Sequence, residues 1–554
     1  MLYTDHYTPK RTPQTEQADP RQVENSAGGF SFVVDDWMRM QRFLILGTEG
    51  GSYYATERKL TRDNAKCIER CLESDPDRAV RLICSISSEG RAPKNDPAIF
   101  ALALAAAHPK ASKIASESIP IVCRTGTHLF QFVEQVKVLR GLNGCLSHGI
   151  AAWYESKEAS DLMYQLTKYQ QRNGMDHKRI LRMTHPKLGN SPIARWVLGA
   201  SNDIRQVGKD GSRRYEASGA VPEYLAAFDE LKKADEKRTI ELISSHRFTH
   251  EMIATHHRNS PEVWEALLPM MGMTALIRNL GKLSSVGLSK PLSATLKQIT
   301  SKLTDANTLK KGRVHPLQIL TALLTYQQGH GDKGSLKWEA SRAIVDALDA
   351  AFYLSFKAIE PTGKRILLAI DVSGSMDMGH VGGVSGLTPR IAAATLAMVT
   401  ARAESNWHCV GFSSGVRGEF TYKGRASKWG RRFVSGLTDL DISPNQRLEQ
   451  VCERMKSVPM GRTDCALPML YAAARDIEVD CFHVYTDNET WHGEVHPHQA
   501  LKMYREKSGI PAKLAVVSME PNEFTIADPS DAGMLDFVGF DSAAPAVLAD
   551  FTRG

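Results

Sequence analysis

The chain has 554 residues, 42% hydrophobic and 24% charged, an ordinary globular composition that holds enough apolar material for packed cores and excludes a wholly disordered polymer. A net charge of +7 with a pI near 8.8 makes a polyanionic partner worth testing without establishing one. The nine cysteines are scattered and odd in number, which excludes a disulfide scaffold and fits reduced thiols in a cytoplasmic compartment.

The first residues, MLYTDHYTPKRTPQTEQADPRQ, lack the apolar centre of a secretion signal, and no apolar run approaches the ~18 residues of a membrane span, so no membrane association is expected. Residues 1–28 are polar, Gln-rich and Pro-bearing, and read as a flexible arm that buries too little to fold alone. From residue 29 to 360 the pattern is helical. DNAKCIERCLE, DPAIFALALAAAH, THLFQFVEQVKVLRGL, VWEALLPMMGMTALIRNL and HPLQILTALLTY all repeat apolar residues at three-and-four spacing. Breaks such as SDPDR, KNDP and NSP separate them, so paired amphipathic helices stacked as an irregular solenoid are expected. No fixed period is legible, which keeps a compact all-helical domain as the alternative.

Inside this region, KYQQRNGMDHKRILRMTHPK carries Lys168, Arg172, Lys178, Arg179, Arg182 and Lys187 against the single acid Asp176, with His177 and His185 beside them. Lys168 and Arg172 are four apart, so on a helix they share a face able to bridge phosphates, and Arg179 and Arg182 form a similar pair on the next helix. A merely solvated charged face is the plain alternative. KDGSRRYEASGA, residues 209–220, reads as a mobile basic loop. His246 and His250 are spaced for one helix face, without the H-E-x-x-H of a zinc protease.

Composition changes at EPTGKR. From residue 361 to 554, the apolar runs ILLAI, WHCVGF, CFHVYT and KLAVVSM alternate with helical stretches, which implies an α/β domain with a parallel sheet covered on both faces. Asp371 ends the first run, and Ser373 and Ser375 follow at two-residue steps in LLAIDVSGSM. At the carboxyl end of a parallel strand, where ligands collect, this is an oxygen-only donor set suited to Mg²⁺. Thr463 in GRTDCALPM and Asp487 in FHVYTDNET complete the set. The order D-x-S-x-S, then Thr, then Asp resembles the metal-ion-dependent adhesion site of von Willebrand factor A domains. No placed general base accompanies it, and His483 reads as a packed core residue, so no enzymatic activity is expected.

The helical array followed by this A domain closely resembles the Ro autoantigen family, whose helical part is the TROVE module. The strings that carry the resemblance include RFLILGTEGGSYYATERKL, EGRAPKNDPAIFALALA, TKYQQRNGMDHKRILRMTHPK, HPLQILTALLTYQQGHG, LDAAFYLSFKAIEPTGKR, YTDNETW and FTIADPSDAGMLD, and they run from about residue 30 to the end. The resemblance implies a ring of HEAT-like repeats closed by the A domain. It implies small noncoding Y RNA bound on an outer basic surface, single-stranded 3′ ends of misfolded RNA in a central hole, and a role in noncoding RNA quality control or degradation. Lys168, Arg172 and His185 match the positions at which the family contacts Y RNA, while Arg179, Arg182 and Lys187 are added on charge alone. An exoribonuclease such as polynucleotide phosphorylase is an implied partner, and a monomer is expected because no oligomer signal stands out. Two readings from other classes stay open: an adaptor whose metal site grips an acidic partner residue, and a metal-dependent nuclease using Asp371 and Asp487.

Overall fold

The computed structural model describes residues 11–46, 57–141, 144–172, 174–188, 191–199, 203–207, 213–217, 221–331, 335–356, 360–378, 381, 387–416, 420–426 and 432–553. Within it, residues 11–28 differ from the flexible arm expected of them, while residues 1–10 lie outside the described residues. Val23–Glu24 (β1) and Phe30–Val33 (β2) pair antiparallel, with Val23 opposite Ser31. Polar side chains that cannot build a core serve here as anchors. The buried Gln14 amide donates to Asp464 Oδ1 at 2.9 Å and to the Val495 carbonyl at 2.8 Å, and Asn25 donates to the Thr490 carbonyl at 2.9 Å. Partners so distant in sequence leave no trace in local composition.

The helical region runs from Asp36–Leu46 to Arg342–Leu354. Its breaks are helix starts: the Asp75 carboxylate accepts from Arg78 N ahead of Pro76–Glu89, and the Ser260 hydroxyl accepts from Val263 N ahead of Pro261–Leu267. Asp96–Ala107 is apolar nearly all round and is buried accordingly, packed against Pro76–Glu89 and Gly126–Leu139. Two short ribbons interrupt the helices. Gln171–Arg172 (β3) pairs with Met175–Asp176 (β4), and Asp203–Val207 (β5) pairs with Arg213–Ala217 (β6). The second ribbon places residues 213–217 of the expected basic loop in a strand; residues 209–212 and 218–220 lie outside the described residues.

The array meets itself end to end. His315 Nε2 donates to the Arg91 carbonyl at 2.9 Å and the Gln318 amide donates to the Pro93 carbonyl at 2.6 Å, so the turn after Pro76–Glu89 abuts the start of Pro316–Gln328. Gly90 permits the approach, since a Cβ there would stand 2.9 Å from Arg313 Cβ. Both ends also grip the second domain. The buried Arg42 donates to Asp536 Oδ1 at 2.7 Å, His315 Nε2 donates to the Phe540 carbonyl at 2.7 Å, and Asp349 Oδ1 accepts from Leu448 N at 2.9 Å.

That domain contains Ile366–Asp371 (β7), Trp407–Ser413 (β8), Phe420–Ala426 (β9), Arg432–Asp439 (β10), Cys481–Thr486 (β11), Lys513–Ser518 (β12), Phe524–Thr525 (β13) and Met534–Val538 (β14). Among the described residues all of these but β13 build a seven-stranded sheet in the order β14-β12-β11-β7-β8-β10-β9. The five strands from β14 to β8 are parallel, but β10 runs antiparallel to both β8 and β9, so the sheet is mixed and not wholly parallel as expected. Both faces are covered. Ile366, Leu368 and Ile370 join the core shared with Pro389–Ala403, whereas Leu367 and Ala369 face the core under Leu467–Ala474 and Pro497–Ser508. β13 pairs with β2 outside this sheet, with Phe524 opposite Val33.

Candidate functional site

At the carboxyl end of β7 the Asp371 side chain is fully buried. Its Oδ1 accepts from Ser373 N at 2.9 Å and its Oδ2 accepts from the Thr486 hydroxyl, at the end of β11, at 2.8 Å. The Ser373 and Ser375 hydroxyls are 3.0 Å apart, and Ser375 also hydrogen-bonds the Asp487 carboxylate. Gly374 N donates to the Gly461 carbonyl at 2.9 Å, which ties this loop to the turn that carries Thr463. The Thr463 hydroxyl is buried and has no hydrogen-bond partner in the structure.

Burial, and then the Asp487 charge, push the Asp371 carboxyl up to about 7, and burial raises Asp487 as well. Glu520 is raised by burial and by the neighbouring Asp487 and Glu489 carboxylates. A cation is the simplest counterweight to such a group. Among the described residues no three His, Cys, Asp or Glu side chains gather as a metal-holding cluster, so the donors on offer are two carboxylates and three hydroxyls. Sequence reasoning missed Arg390. Buried in Pro389–Ala403, it donates to the carbonyls of Val372 at 3.0 Å and Val458 at 3.0 Å and so braces the serine loop from below. A charge at the second position of a helical run that is otherwise uncharged until the exposed Arg402 in its last turn was the available signal.

The basic segment is built differently from its expectation. Lys168 is the last residue of Ala159–Lys168, whereas Arg172 lies in β3, so the two do not share a helix face. Gly174, at φ 72°, turns the ribbon, and the Asp176 carboxylate then caps His177–Thr184 by accepting from Arg179 N at 2.7 Å. Arg179 and Arg182 do lie on one helix. Arg172, Arg179, Arg182, His185 and Lys187 are exposed. Lys168 is not: with its side chain 14% exposed, it donates to the Tyr164 hydroxyl at 2.9 Å and stands 3.5 Å from Glu251. His177 anchors the helix from inside, hydrogen-bonded to the Tyr154 hydroxyl at 2.9 Å and edge-on to Phe130. His246 ends Glu236–His246 while His250 opens a separate 3-10 turn, so those histidines do not share a helix either.

The TROVE domain family matches residues 23–250 and 245–324, and the Ro60 vWA domain family matches residues 365–552. The chain belongs to the Ro60 family. Ro60 relatives are similar over nearly the whole length. A protein of Deinococcus radiodurans called RNA-binding protein RO60 is 39% identical over 99% of this chain and 98% of its own, and one of Caenorhabditis elegans with the same name is 35% identical over 98% and 92%. The crystal structure of the Deinococcus radiodurans RO (RSR) protein covers 94% of this chain and all of that one, with a TM-score of 0.66 at 36% identity. The Ro60 architecture of a helical array joined to an A domain is therefore the architecture of this chain. No helix among the described residues is long and apolar enough to cross a membrane.

Proposed function

We propose that this Ro60-family chain is an RNA-binding protein that takes structured RNA on the face formed by β3 and His177–Thr184. The observation that carries this reading is the exposure of Arg172, Arg179, Arg182, His185 and Lys187 along one ribbon, helix and the turn that follows it, whose nearby acid, Asp176, is spent as a cap. Guanidinium and ammonium groups held this way give phosphate contacts, and hence affinity that falls with salt. The names of the relatives support the RNA assignment. Small noncoding Y-like RNA as ligand, single-stranded 3′ ends of misfolded RNA as a second ligand, quality control through an exoribonuclease partner, a monomeric state and a cytoplasmic location belong to the same reading. The RNA is bound and not cut.

The residues at the carboxyl end of β7 fit a hard divalent ion such as Mg²⁺: Asp371, Ser373, Ser375, Thr463 and Asp487 offer only oxygen, and the Thr463 hydroxyl lacks any other partner. The bound ion would supply positive charge between two buried carboxylates. Thr486 and Ser373 N hold Asp371 in place for it, and Arg390 holds the loop. This donor set favours a companion role, in which the A domain grips an acidic group of a partner protein.

The test is a gel-shift titration with a hairpin RNA bearing a single-stranded 3′ tail, across salt, for wild type and Arg172→Glu/Arg179→Glu. Salt-sensitive binding that fails in the variant supports the reading. A wild type that ignores RNA at low salt removes it and leaves the adaptor role.

A further inference from the structure

A second concentration of positive charge lies where the two ends of the helical array meet. Arg124 sits in the turn that enters Gly126–Leu139, and His128 is in the first turn of that helix. β3, carrying Arg172, packs against the same helix, and Arg172 acts electrostatically on His128. Arg313 comes from the far end of the array, on the turn before Pro316–Gln328, with φ 47° and Gly90 packed beneath its Cβ.

These groups are not neutralised as clustered charges usually are. Arg124 is half-buried, its Nε has no hydrogen-bond partner in the structure, and no ion pair involves it among the described residues. Burial, and then the repulsion of Arg313, push the Arg124 guanidinium down to about 10. The acid that acts on His128 is Asp96, whose Oδ1 already accepts from the Gln131 amide at 2.9 Å. Burial, followed by Arg124, pushes His128 down to about 4, so at neutral pH it is a neutral ring, held at Nδ1 by Asn95 at 3.3 Å. Arg124 therefore stands between Arg313, across the seam, and Arg172, beyond His128, at the positive end of a helix of 14 residues, and among the described residues no ion pair joins any of the three to a carboxylate. Gathering like charges around a half-buried guanidinium carries a cost that an anion removes.

We propose that Arg124, Arg172 and Arg313, with His128 beside them, form an anion site for consecutive backbone phosphates of a nucleic-acid strand, carrying the RNA face from His177–Thr184 across the seam of the array. Arg172 is common to both surfaces, which makes one strand the natural occupant. Guanidinium forks suit phosphodiester oxygens and carry no sequence preference of their own. The inference rests on the RNA reading above for its ligand, but not for its charge.

The experiment uses the full chain, with Arg313→Gln, Arg124→Gln and Arg124→Lys beside wild type. Binding of a short single-stranded RNA is followed by fluorescence anisotropy across salt. Each Gln variant is expected to lower the slope of log affinity against log salt by about one and to weaken binding several-fold at low salt, with Arg124→Lys retaining most of the slope. Slopes unchanged in both Gln variants while wild type binds would overturn the site. The exposed Arg313 keeps the test sound should Arg124→Gln fold poorly. Thermal unfolding with pyrophosphate separates this inference from the RNA reading. A rise in Tm seen in wild type and absent in both Gln variants supports the anion site even if RNA does not bind; no rise in wild type, or an equal rise in all, counts against it. Loss of binding to poly-glutamate in the Gln variants, with RNA binding untouched, would make the partner an acidic protein and overturn the proposal as stated.

Discussion

Lys168 Nζ stands 3.5 Å from Glu251 Oε1, and His250 Nδ1 holds the same carboxylate from the other oxygen at 3.1 Å. The cation that spacing and the family resemblance both assign to RNA is thus already paired inside the protein, with the Tyr164 and Tyr169 rings 5.2 and 5.4 Å away. A phosphate reaching Lys168 must compete with Glu251. Glu251→Gln is therefore expected to raise RNA affinity by roughly two- to fivefold at low salt, an effect sized by partly exposed ion pairs. Gel shifts at matched salt check it, and unchanged or weaker binding would show that Lys168 does not meet the RNA.

The same burial makes Lys168 structural. Lys168→Ala should cost about 1–2 kcal/mol in denaturant unfolding, because it strips a partner from Glu251 and Tyr164, while Arg182→Ala on the exposed face should stay within about 0.5 kcal/mol. Equal costs would contradict the packing described for Lys168.

His315 joins the two ends of the array to the A domain with a neutral imidazole. Leu317 N donates to its Nδ1 at 3.1 Å, which leaves the proton on Nε2 for the carbonyls of Arg91 and Phe540. Burial pushes this ring down to about 4. A histidine lowered on folding contributes stability that is fully present above its unfolded value of about 6.5 and is lost as pH falls towards 4. Stability should therefore fall between pH 6.5 and 4, by an amount on the order of 3 kcal/mol from this group. His315→Gln should start about 2 kcal/mol lower at pH 7 and show a shallower acid decline. Urea titrations at pH 7 and pH 5 compare the two, and parallel declines would clear His315 of the role.

Asp371 carries the opposite sign. A carboxyl raised to about 7 by burial and then by Asp487 favours folding while it is protonated, and that contribution disappears as pH climbs from about 4 through 7. In chelator, the change in Tm from pH 5 to pH 8 should be less favourable in wild type than in Asp371→Asn, and Mg²⁺ should restore more at pH 8 than at pH 5. Asp371→Asn should flatten both responses. A Tm insensitive to Mg²⁺ at pH 8 would argue against the metal reading.

The Gln14 amide is the hub of the N-terminal anchor, bonding Asp464, Val495 and the Thr490 hydroxyl. Gln14→Ala should destabilise the A domain by about 2–3 kcal/mol, since it leaves buried polar groups unpaired. Unfolding followed by near-ultraviolet circular dichroism reads this directly, and a change below about 0.5 kcal/mol would reduce the anchor to a surface contact.

The strand ends of the A domain were legible because the chemistry is local: an apolar run followed by Asp and Ser predicts where β7 stops and what it presents. The pair Lys168 and Arg172 was not, because spacing on a helix has meaning only while the helix lasts, and this one gives way after Lys168 to a ribbon turned by Gly174. β9 and β10, sequences FTYKGRA and RFVSGLTD, lack the unbroken apolar run of a central strand, so the antiparallel edge escaped notice. Residues 11–28 were misjudged for another reason. Their polarity is satisfied by Asp464, Thr490 and Val495, and nothing within the segment announces partners that far away. Arg124 belongs to the same class, since its importance comes from Arg313, which only the closed array brings near.

The pairing of β2 with β13 has a consequence for how the molecule is made. Phe524 is translated 491 residues after Val33, so at synthesis rates of about 5–20 residues per second the strand waits roughly half a minute or more for its neighbour. Throughout that interval a nascent chain carries an unsatisfied strand edge next to the apolar Asp36–Leu46 helix. The C-terminal half released alone would lack its first-made strand, and the N-terminal half alone would keep it exposed. The edge is covered, and the N-terminal strand joined to the A domain, only once Phe524 has been made.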